Sequence, residues 1–527
     1  MATDLPELRQ HIAQYLDFDT LKAFSVVCKA WYLDARPILW SCFKCQVPQE
    51  CSASPEEYAF WLDTIRKNAR HICYVVYREL LAPGIREILL GQCHSLVSIR
   101  MDISVRHFQD PVFGWEKTPR PLLAQHSVTL RQLELYWNEY IPMTILPSLL
   151  TSLPNLRSFE LFTNTMLVKD VLPILNGCPS SLERLGLYTD LIRGNELDQG
   201  DSVNNPDYSS ITAIANPLRL KFLQMPTSGI RGSMEEILSR LAGHSLQELR
   251  IDAAYCLQIS PMIRDALWRL TSLHLKDWQS GDEWALPRIL EAIHPHQLCR
   301  VNVDSMTREC IAKLIEMQHQ SLESLNVQFE EGHTGALADI LATCGRLKSL
   351  TFMGLPFVNI QTLIDPQKPW VCTELEVFDG YLGLALPEKP RDLGRLGFNK
   401  SVDATTSRRM EDQFMHRLGQ LTNLRCLVQN ICDNPTVYQQ LQHDGMKQRT
   451  VEWSLASGLG HLHGLVHLRT FKIVDHCPRK WIGVPEMMFI KQHWQSLREM
   501  SCKDVGGIAV QKWLATEWPE LKATIDQ

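Results

Sequence analysis

A short apolar pattern, L-x-x-L-x-L, recurs along most of the chain. In one copy, Leu156, Phe159 and Leu161 are followed by Asn164, which gives the longer form L-x-x-L-x-L-x-x-N. Apolar residues that alternate with polar ones predict a half-buried strand. The other clear copies begin at Leu130, Leu182, Leu220, Leu246, Leu270, Leu298, Leu322 and Leu347, and weaker copies begin at Leu96, Leu468 and Leu497. The chain therefore contains many similar strand patterns in series.

Helix-like runs separate these strand patterns. Before SLESLNV, the run CIAKLIEMQHQ places Ile311, Leu314 and Ile315 at helical spacing, which makes one apolar face. Successive first leucines from Leu130 to Leu182 lie 26 residues apart, within the period typical of leucine-rich repeats. A unit of one strand and one helix buries its apolar faces by stacking on its neighbours. We therefore expect an α/β fold, a curved leucine-rich-repeat solenoid with concave parallel strands and convex helices.

The pattern divides the chain into three predicted parts. Residues 1–42 form a small helical module, residues 43–93 a helical connector and N-terminal cap, and residues 94–515 the solenoid. Polar insertions near residues 191–210 and 385–413 interrupt the repeats. Long polar segments between repeats usually form surface loops, which is what we expect of these two.

The first forty residues have their own helical pattern. Ile12 and Leu16 lie four residues apart, and Leu21 and Phe24 continue at helical spacing after Asp19. This spacing predicts two or three small helices. We expect Asp19 to cap the second helix by accepting a backbone N–H group.

This segment resembles the F-box motif over about residues 4–40. The resemblance is carried by a Leu-Pro start, the string V-C-K-x-W and a closing Leu-Trp pair. It implies a small all-α module that binds the Skp-type adaptor of a cullin–RING (SCF-type) ubiquitin ligase, while the repeats capture a target protein. The adaptor-binding residues that it implies are Leu5, Pro6, Ile12, Leu16, Leu21, Val27, Cys28, Trp31, Leu39 and Trp40. The alternative is that these side chains only form the core of a cap for the repeats.

Aromatic residues occupy the seventh position of three successive repeats. Strand alternation points the third, fifth and seventh positions to the concave face, and neighbouring strands lie about 4.8 Å apart. We therefore expect Tyr136, Phe162 and Tyr188 to form a ladder, with Phe222 at the third position of the next repeat. Exposed aromatic side chains are typical anchors of protein recognition, so these four are the predicted target-binding residues. Stacked rings that only stabilise the repeats are the alternative.

The seventh positions of later repeats are polar. They are Asp252, Lys276, Asp304 and Gln328. The change from aromatic to polar predicts that the target binds the N-terminal half of the concave face.

Composition and charge exclude several classes of partner. A content of 45% hydrophobic and 21% charged residues is ordinary for a folded protein. The net charge of −6 and the absence of a basic block argue against nucleic acid. No apolar run approaches the roughly 18 residues of a membrane span, so we expect no membrane partner and a cytoplasmic or nuclear location. In that reducing setting, the 16 cysteines are expected to be mainly free thiols.

Two clusters contain the residue types of metal ligands. They are Cys42, Cys45, Cys51, His71 and Cys73, and His461, His463 and His467. The first lacks a second close cysteine pair and the second lacks the glutamate of H-E-x-x-H, so we expect no metal and no cofactor. No phosphate-binding loop, nucleophile turn or dinucleotide fingerprint occurs. We expect a non-catalytic substrate receptor, and the alternatives are a leucine-rich-repeat scaffold without a ligase and a ligand-dependent sensor of the same architecture.

Overall fold

The computed structural model describes most of the chain and divides it into two units, Met1–Asp252 and Ala253–Gln527. The described residues are 6–45, 55–78, 83–103, 119–137, 144–163, 168–189, 218–225, 245–252, 264, 267–276, 285–329, 335–354, 358–386, 404–430, 447–473, 482–502 and 508–524.

Three helices precede the first strand. They are α1 (Pro6–Gln14), α2 (Phe18–Ser25) and α3 (Lys29–Leu39). Their common core consists of Ala13, Leu21 and Ala35, and the partly buried Leu16, Ile38 and Leu39 pack against it. So few buried residues give limited stability, which favours a module that depends on its neighbour.

The cap of α2 differs from the sequence prediction. Asp17, not Asp19, is the N-cap, because Asp17 has extended backbone and its Oδ1 accepts the N–H of Thr20 at 2.8 Å. Asp19 lies inside the first turn, where a negative charge favours the helix dipole. Asp17 and Asp19 are both suitable N-cap residues by type, and the sequence pattern alone therefore placed the start of the helix two residues late.

Within the described residues, the first unit contains eight strands, each parallel to the next along the chain. They are β1 (Cys42–Cys45), β2 (Tyr74–Arg78), β3 (Ser98–Ile103), β4 (Gln132–Trp137), β5 (Ser158–Thr163), β6 (Arg184–Thr189), β7 (Phe222–Gln224) and β8 (Glu248–Asp252). The helices between them are α4 (Pro55–Asn68), α5 (Pro83–Gln92), α6 (Pro119–Gln125), α7 (Ile145–Thr151) and α8 (Val168–Gly177).

The repeated leucine positions of the first unit form its core. Leu156, Phe159 and Leu161 are each 0% exposed. Successive units are also joined through the backbone, since the N–H groups of Arg157 and Ser158 both donate to the carbonyl oxygen of Arg131, at 2.8 and 2.9 Å. The apolar pattern therefore sets both the burial and the in-register stacking of the strands.

The described part of the second unit repeats this plan. Its strands are β9 (Ser272–Lys276), β10 (Arg300–Met306), β11 (Ser324–Phe329), β12 (Ser349–Gly354), β13 (Val358–Asn359), β14 (Val377–Leu386), β15 (Cys426–Asn430), β16 (Lys447–Thr450), β17 (Thr470–Ile473), β18 (Glu499–Cys502) and β19 (Lys522–Thr524). Its helices are α9 (Ala285–Glu291), α10 (Arg308–Gln318), α11 (Ala336–Thr343), α12 (Ile360–Leu363), α13 (Ala404–Gly419), α14 (Val484–His493) and α15 (Ile508–Glu517). All the strand pairs described here are parallel except that of β14 with β16.

The predicted α/β class, with parallel strands alternating with helices, is confirmed. The limits of the array differ from the predicted ones. Strand pairing begins at β1 and β2, inside the segment predicted as a helical connector, and β19 follows residue 515. Helix α13 begins inside the predicted insertion 385–413, and the insertion 191–210 lies outside the described residues. Among the described helices, none is long and apolar enough to cross a membrane.

Candidate functional sites

The residues predicted to bind an adaptor fall into an inner and an outer set. Leu21 is buried in the module's core, and Ile12, Leu16, Trp31, Leu39 and Trp40 are half-buried. Pro6, Val27 and Cys28 are exposed, and Leu5 lies outside the described residues. Only the outer set is fully accessible to a partner, whereas the inner set shapes the surface that carries it.

Further apolar side chains extend the outer set. Tyr15, Val26 and Val27 are 77%, 81% and 67% exposed, and Tyr32 and Leu33 of α3 are also exposed. We call Tyr15, Val26, Val27, Tyr32 and Leu33 the apolar strip. The motif pattern did not single out Tyr32 and Leu33 as docking residues, because no repeated spacing marks them. The sequence did contain one signal for them. Tyr32 and Leu33 are adjacent large apolar residues on α3, and the small core of the module needs few such side chains.

The half-buried Trp31 is held in place by the other two helices of the module. Its ring meets that of Phe24 edge to face, with centroids 4.7 Å apart. The guanidinium of Arg9 lies 6.0 Å from the Trp31 centroid, and its Nε donates to Asp34 Oδ2 at 2.6 Å. Trp31 of α3 therefore lies near side chains of both other helices of the module.

Arg36 joins the module to the strand–helix array of the first unit. Its Nε donates to Asn68 Oδ1 at 2.5 Å, and its Nη2 donates to the carbonyl oxygen of Lys67 at 2.6 Å. Asn68 is buried at the end of α4, and its Nδ2 donates to the carbonyl oxygen of Thr64 at 2.7 Å. Burial lowers the pKa of the neighbouring His71, and the charges of Arg70 and Arg36 lower it further. We call the contacts of Arg36 with Asn68 and Lys67 the Arg36 bracket.

The second candidate site is a ladder of stacked rings on the sheet of the first unit. Tyr136, Phe162 and Tyr188 are register partners on β4, β5 and β6. Their centroids are 4.3 and 4.2 Å apart and their planes are within 5° of parallel. The ladder geometry predicted from the seventh positions is thus present, and its binding role stays a prediction.

Charged residues at neighbouring positions of β3 to β6 border the aromatic ladder. The Arg100 guanidinium lies 4.4 Å from the centroid of Tyr136, and its Nε is 3.6 Å from Glu134 Oε2. On the neighbouring strands, Arg184 Nε donates to Glu160 Oε1 at 2.8 Å. Burial raises the pKa of Glu134; Arg100 opposes the rise and Glu160 adds to it. The ladder is therefore edged by two neighbouring carboxylates, Glu134 and Glu160, each with an arginine beside it.

The structure corrects the expectation that Phe222 presents its ring to a target. Phe222 is only 4% exposed, because the guanidinium groups of Arg184 and Arg250 lie 3.6 and 5.1 Å from its centroid. Both arginines come from neighbouring strands, so the single-strand pattern did not reveal the cover. Asp252, expected at an accessible polar position, is also buried. Of the four predicted target-binding residues, the three ladder rings are thus the accessible ones.

The two metal-ligand clusters do not form a metal site among the described residues, where no group of three or more His, Cys, Asp or Glu side chains could hold a metal ion. Cys42 is exposed on β1, and Cys51 lies outside the described residues. His461 Nε2 lies 2.9 Å from Asp412 Oδ1, and His463 Nδ1 lies 3.1 Å from the carbonyl oxygen of Gly460. The segment Leu459–Gly464 is a 3₁₀ helix that ends before His467.

The cysteines whose side chains are described are free thiols. Burial raises the pKa of Cys93, Cys178, Cys344 and Cys372 to about 12. A thiol with so high a pKa stays protonated and is a poor nucleophile or metal ligand. These four cysteines therefore act as small apolar core residues.

The sequence matches no model of a known protein family and no curated protein. The two surfaces themselves are therefore the features that bear on function. The apolar strip offers exposed apolar side chains, and the aromatic ladder offers apolar area edged by charged groups; both compositions suit protein binding.

Proposed function

We propose that the protein is a non-catalytic substrate receptor of a cullin–RING ubiquitin ligase. In this proposal, helices α1 to α3 are an F-box-like module that binds a Skp-type adaptor, and the strand–helix units are leucine-rich repeats, whose stacked units form a curved solenoid. The target protein binds the aromatic ladder. Both steps take place in the cytoplasm or nucleus, and neither needs a metal, a cofactor, nucleic acid or a membrane.

The observation that carries the proposal is that α1 to α3 have two sets of apolar side chains, one in the core and one on the surface. The core of these helices uses Ala13, Leu21 and Ala35, whereas the apolar strip stays exposed although its side chains are as apolar as the core. Five exposed large apolar side chains within one small module mark a candidate surface for a partner. A cap that served only the repeats would not need this outer surface.

The proposal is tested by measuring the binding of a purified Skp-type adaptor to the full chain. We expect Val26→Asp with Val27→Asp to abolish detectable binding, because two charges would lie in an apolar contact. The matched control is Val128→Asp, at a side chain that is 70% exposed outside the module, and it should bind like the wild type. A folded wild-type chain that does not bind the adaptor would favour the scaffold without a ligase instead.

A further inference from the structure

The sheet face beside the aromatic ladder carries two neighbouring carboxylates. Glu134 and Glu160 are register partners on β4 and β5, two residues before Tyr136 and Phe162 on the same strands. Side chains two residues apart on a strand lie on the same face. Two carboxylates and two ring edges therefore border one small area.

The ring faces in this area are already covered. Phe162 is stacked between Tyr136 and Tyr188, and Arg100 lies over the outer side of Tyr136. The surface that these half-buried rings leave to a partner is therefore mainly their edges, which suit an aliphatic chain lying across them. A flat aromatic ligand or a cation stacked on a ring face does not fit this arrangement.

Each carboxylate has an arginine partner, and the ion pair of Glu134 is the looser of the two. Arg184 donates to Glu160 but also lies 3.6 Å from the centroid of Phe222. Arg100 lies over Tyr136, and its Nε is 3.6 Å from Glu134, beyond the length of a good hydrogen bond. Burial raises the pKa of Glu134, and Arg100 and Arg184 only partly oppose the rise, so the charged form of Glu134 is not fully compensated. A second cation would supply that compensation.

We propose that the face of β4 and β5 binds a lysine or arginine side chain of the target, with its aliphatic stem across the edges of Tyr136 and Phe162 and its cation at Glu134 and Glu160. Charge complementarity and the shape of the ring edges both favour this occupant. The inference rests on the proposed function in that it names the target feature which the aromatic ladder recognises. It does not depend on the adaptor.

The test uses a bead library of random decapeptides and the fluorescently labelled full chain at physiological salt. Beads that bind the wild type should be enriched in Lys and Arg about three- to fivefold over the input, the factor expected for one partly screened ion pair. Glu134→Gln with Glu160→Gln should remove that enrichment. The matched control, Glu183→Gln with Glu248→Gln, removes the same charge from carboxylates paired with Lys221 and Arg250 and should keep it.

Three results would overturn the inference: no selected beads, selection of neutral or acidic peptides, or the same Lys and Arg enrichment in the Glu134→Gln, Glu160→Gln variant. The last would mean attraction by overall negative charge. The single variant Glu134→Gln is measured in parallel, so that misfolding of the double variant does not decide the outcome. Adaptor binding is measured on the same preparations to separate the two proposals. A wild-type chain that selects Lys- and Arg-rich beads but does not bind the adaptor would contradict only the ligase role.

Discussion

Leu249 in β8 and Leu325 in β11 are each 0% exposed, on the core side of their strands. Replacing either with Asp would bury a charge without a partner, so we expect the free energy of unfolding to fall by at least about 3 kcal/mol. Asn326→Ala, at the exposed neighbour of Leu325, should change it by about 0.5 kcal/mol or less. Urea unfolding measures both. Equal midpoints for Leu325→Asp and the wild type would show that the strand register is wrong.

Asp17 gives a pH-dependent prediction. The N–H and hydroxyl groups of Thr20 hold the pKa of Asp17 below its usual value. A lowered folded-state pKa stabilises the fold above the unfolded-state pKa, and the stabilisation is lost as the pH falls through the folded value. We therefore expect Asp17→Ala to speed hydrogen exchange in α2 at neutral pH and to match the wild type in strong acid. Asp19→Ala is the control, and a larger effect of that change would contradict the assigned cap.

The Arg36 bracket predicts how two elements are coupled. Removing its hydrogen bonds to Asn68 and Lys67 leaves the buried Asn68 amide without that partner, which is unfavourable. We expect Arg36→Ala to speed hydrogen exchange in α3 and at the end of α4 but not in β4 to β6. Arg66→Ala, at an exposed position of α4, is the control. Unchanged exchange in Arg36→Ala would mean that the module is held by other contacts.

The aromatic ladder shows how far an element can be predicted from the sequence. The stacking of Tyr136, Phe162 and Tyr188 follows from strand alternation and a constant repeat length, both of which are local. The burial of Phe222 does not, because Arg184 and Arg250 reach it from other strands. Side-chain packing across strands is thus the part that the pattern leaves open.

Short and polar elements were missed for a different reason. Strand β1 has four residues, of which Phe43 is in the core, and it carries no leucine pattern. The part of helix α13 before residue 414 is polar, so the pattern assigned it to an insertion, whereas the buried Phe414, Met415 and Leu418 follow that boundary. In both elements, stacking on neighbours outweighs a weak local signal.

The binding role of the aromatic ladder is tested by truncating it. Individual aromatic anchors at protein interfaces often contribute about 2 kcal/mol, about thirtyfold in affinity. We expect Tyr136→Ala, Phe162→Ala and Tyr188→Ala to weaken binding of the selected decapeptides at least that far and to leave adaptor binding unchanged. Affinity is measured by fluorescence anisotropy. A folded triple variant with wild-type affinity would mean that the stacked rings only stabilise the repeats.

At the scale of the whole molecule, both candidate surfaces belong to the first unit, Met1–Asp252. In the second unit, His274 Nδ1 and Asn302 Nδ2 lie 3.2 Å apart on neighbouring strands and Asn430 Nδ2 donates to Asp379 Oδ1 at 2.6 Å, whereas Met353 of β12 is an exposed apolar side chain. Hydrogen-bonded polar rows offer less apolar area than the aromatic ladder. The location of target binding in the N-terminal half stays a prediction.

The most direct test of the central claim mixes the full chain with a purified Skp-type adaptor and cullin and measures the mass of the complex by size-exclusion chromatography with light scattering. We predict one species that contains all three proteins, and its loss when Val26 and Val27 are both changed to Asp but not when Val128 is. Separate elution of a folded wild-type chain, or an unaltered complex with the Val26→Asp, Val27→Asp variant, would contradict the account.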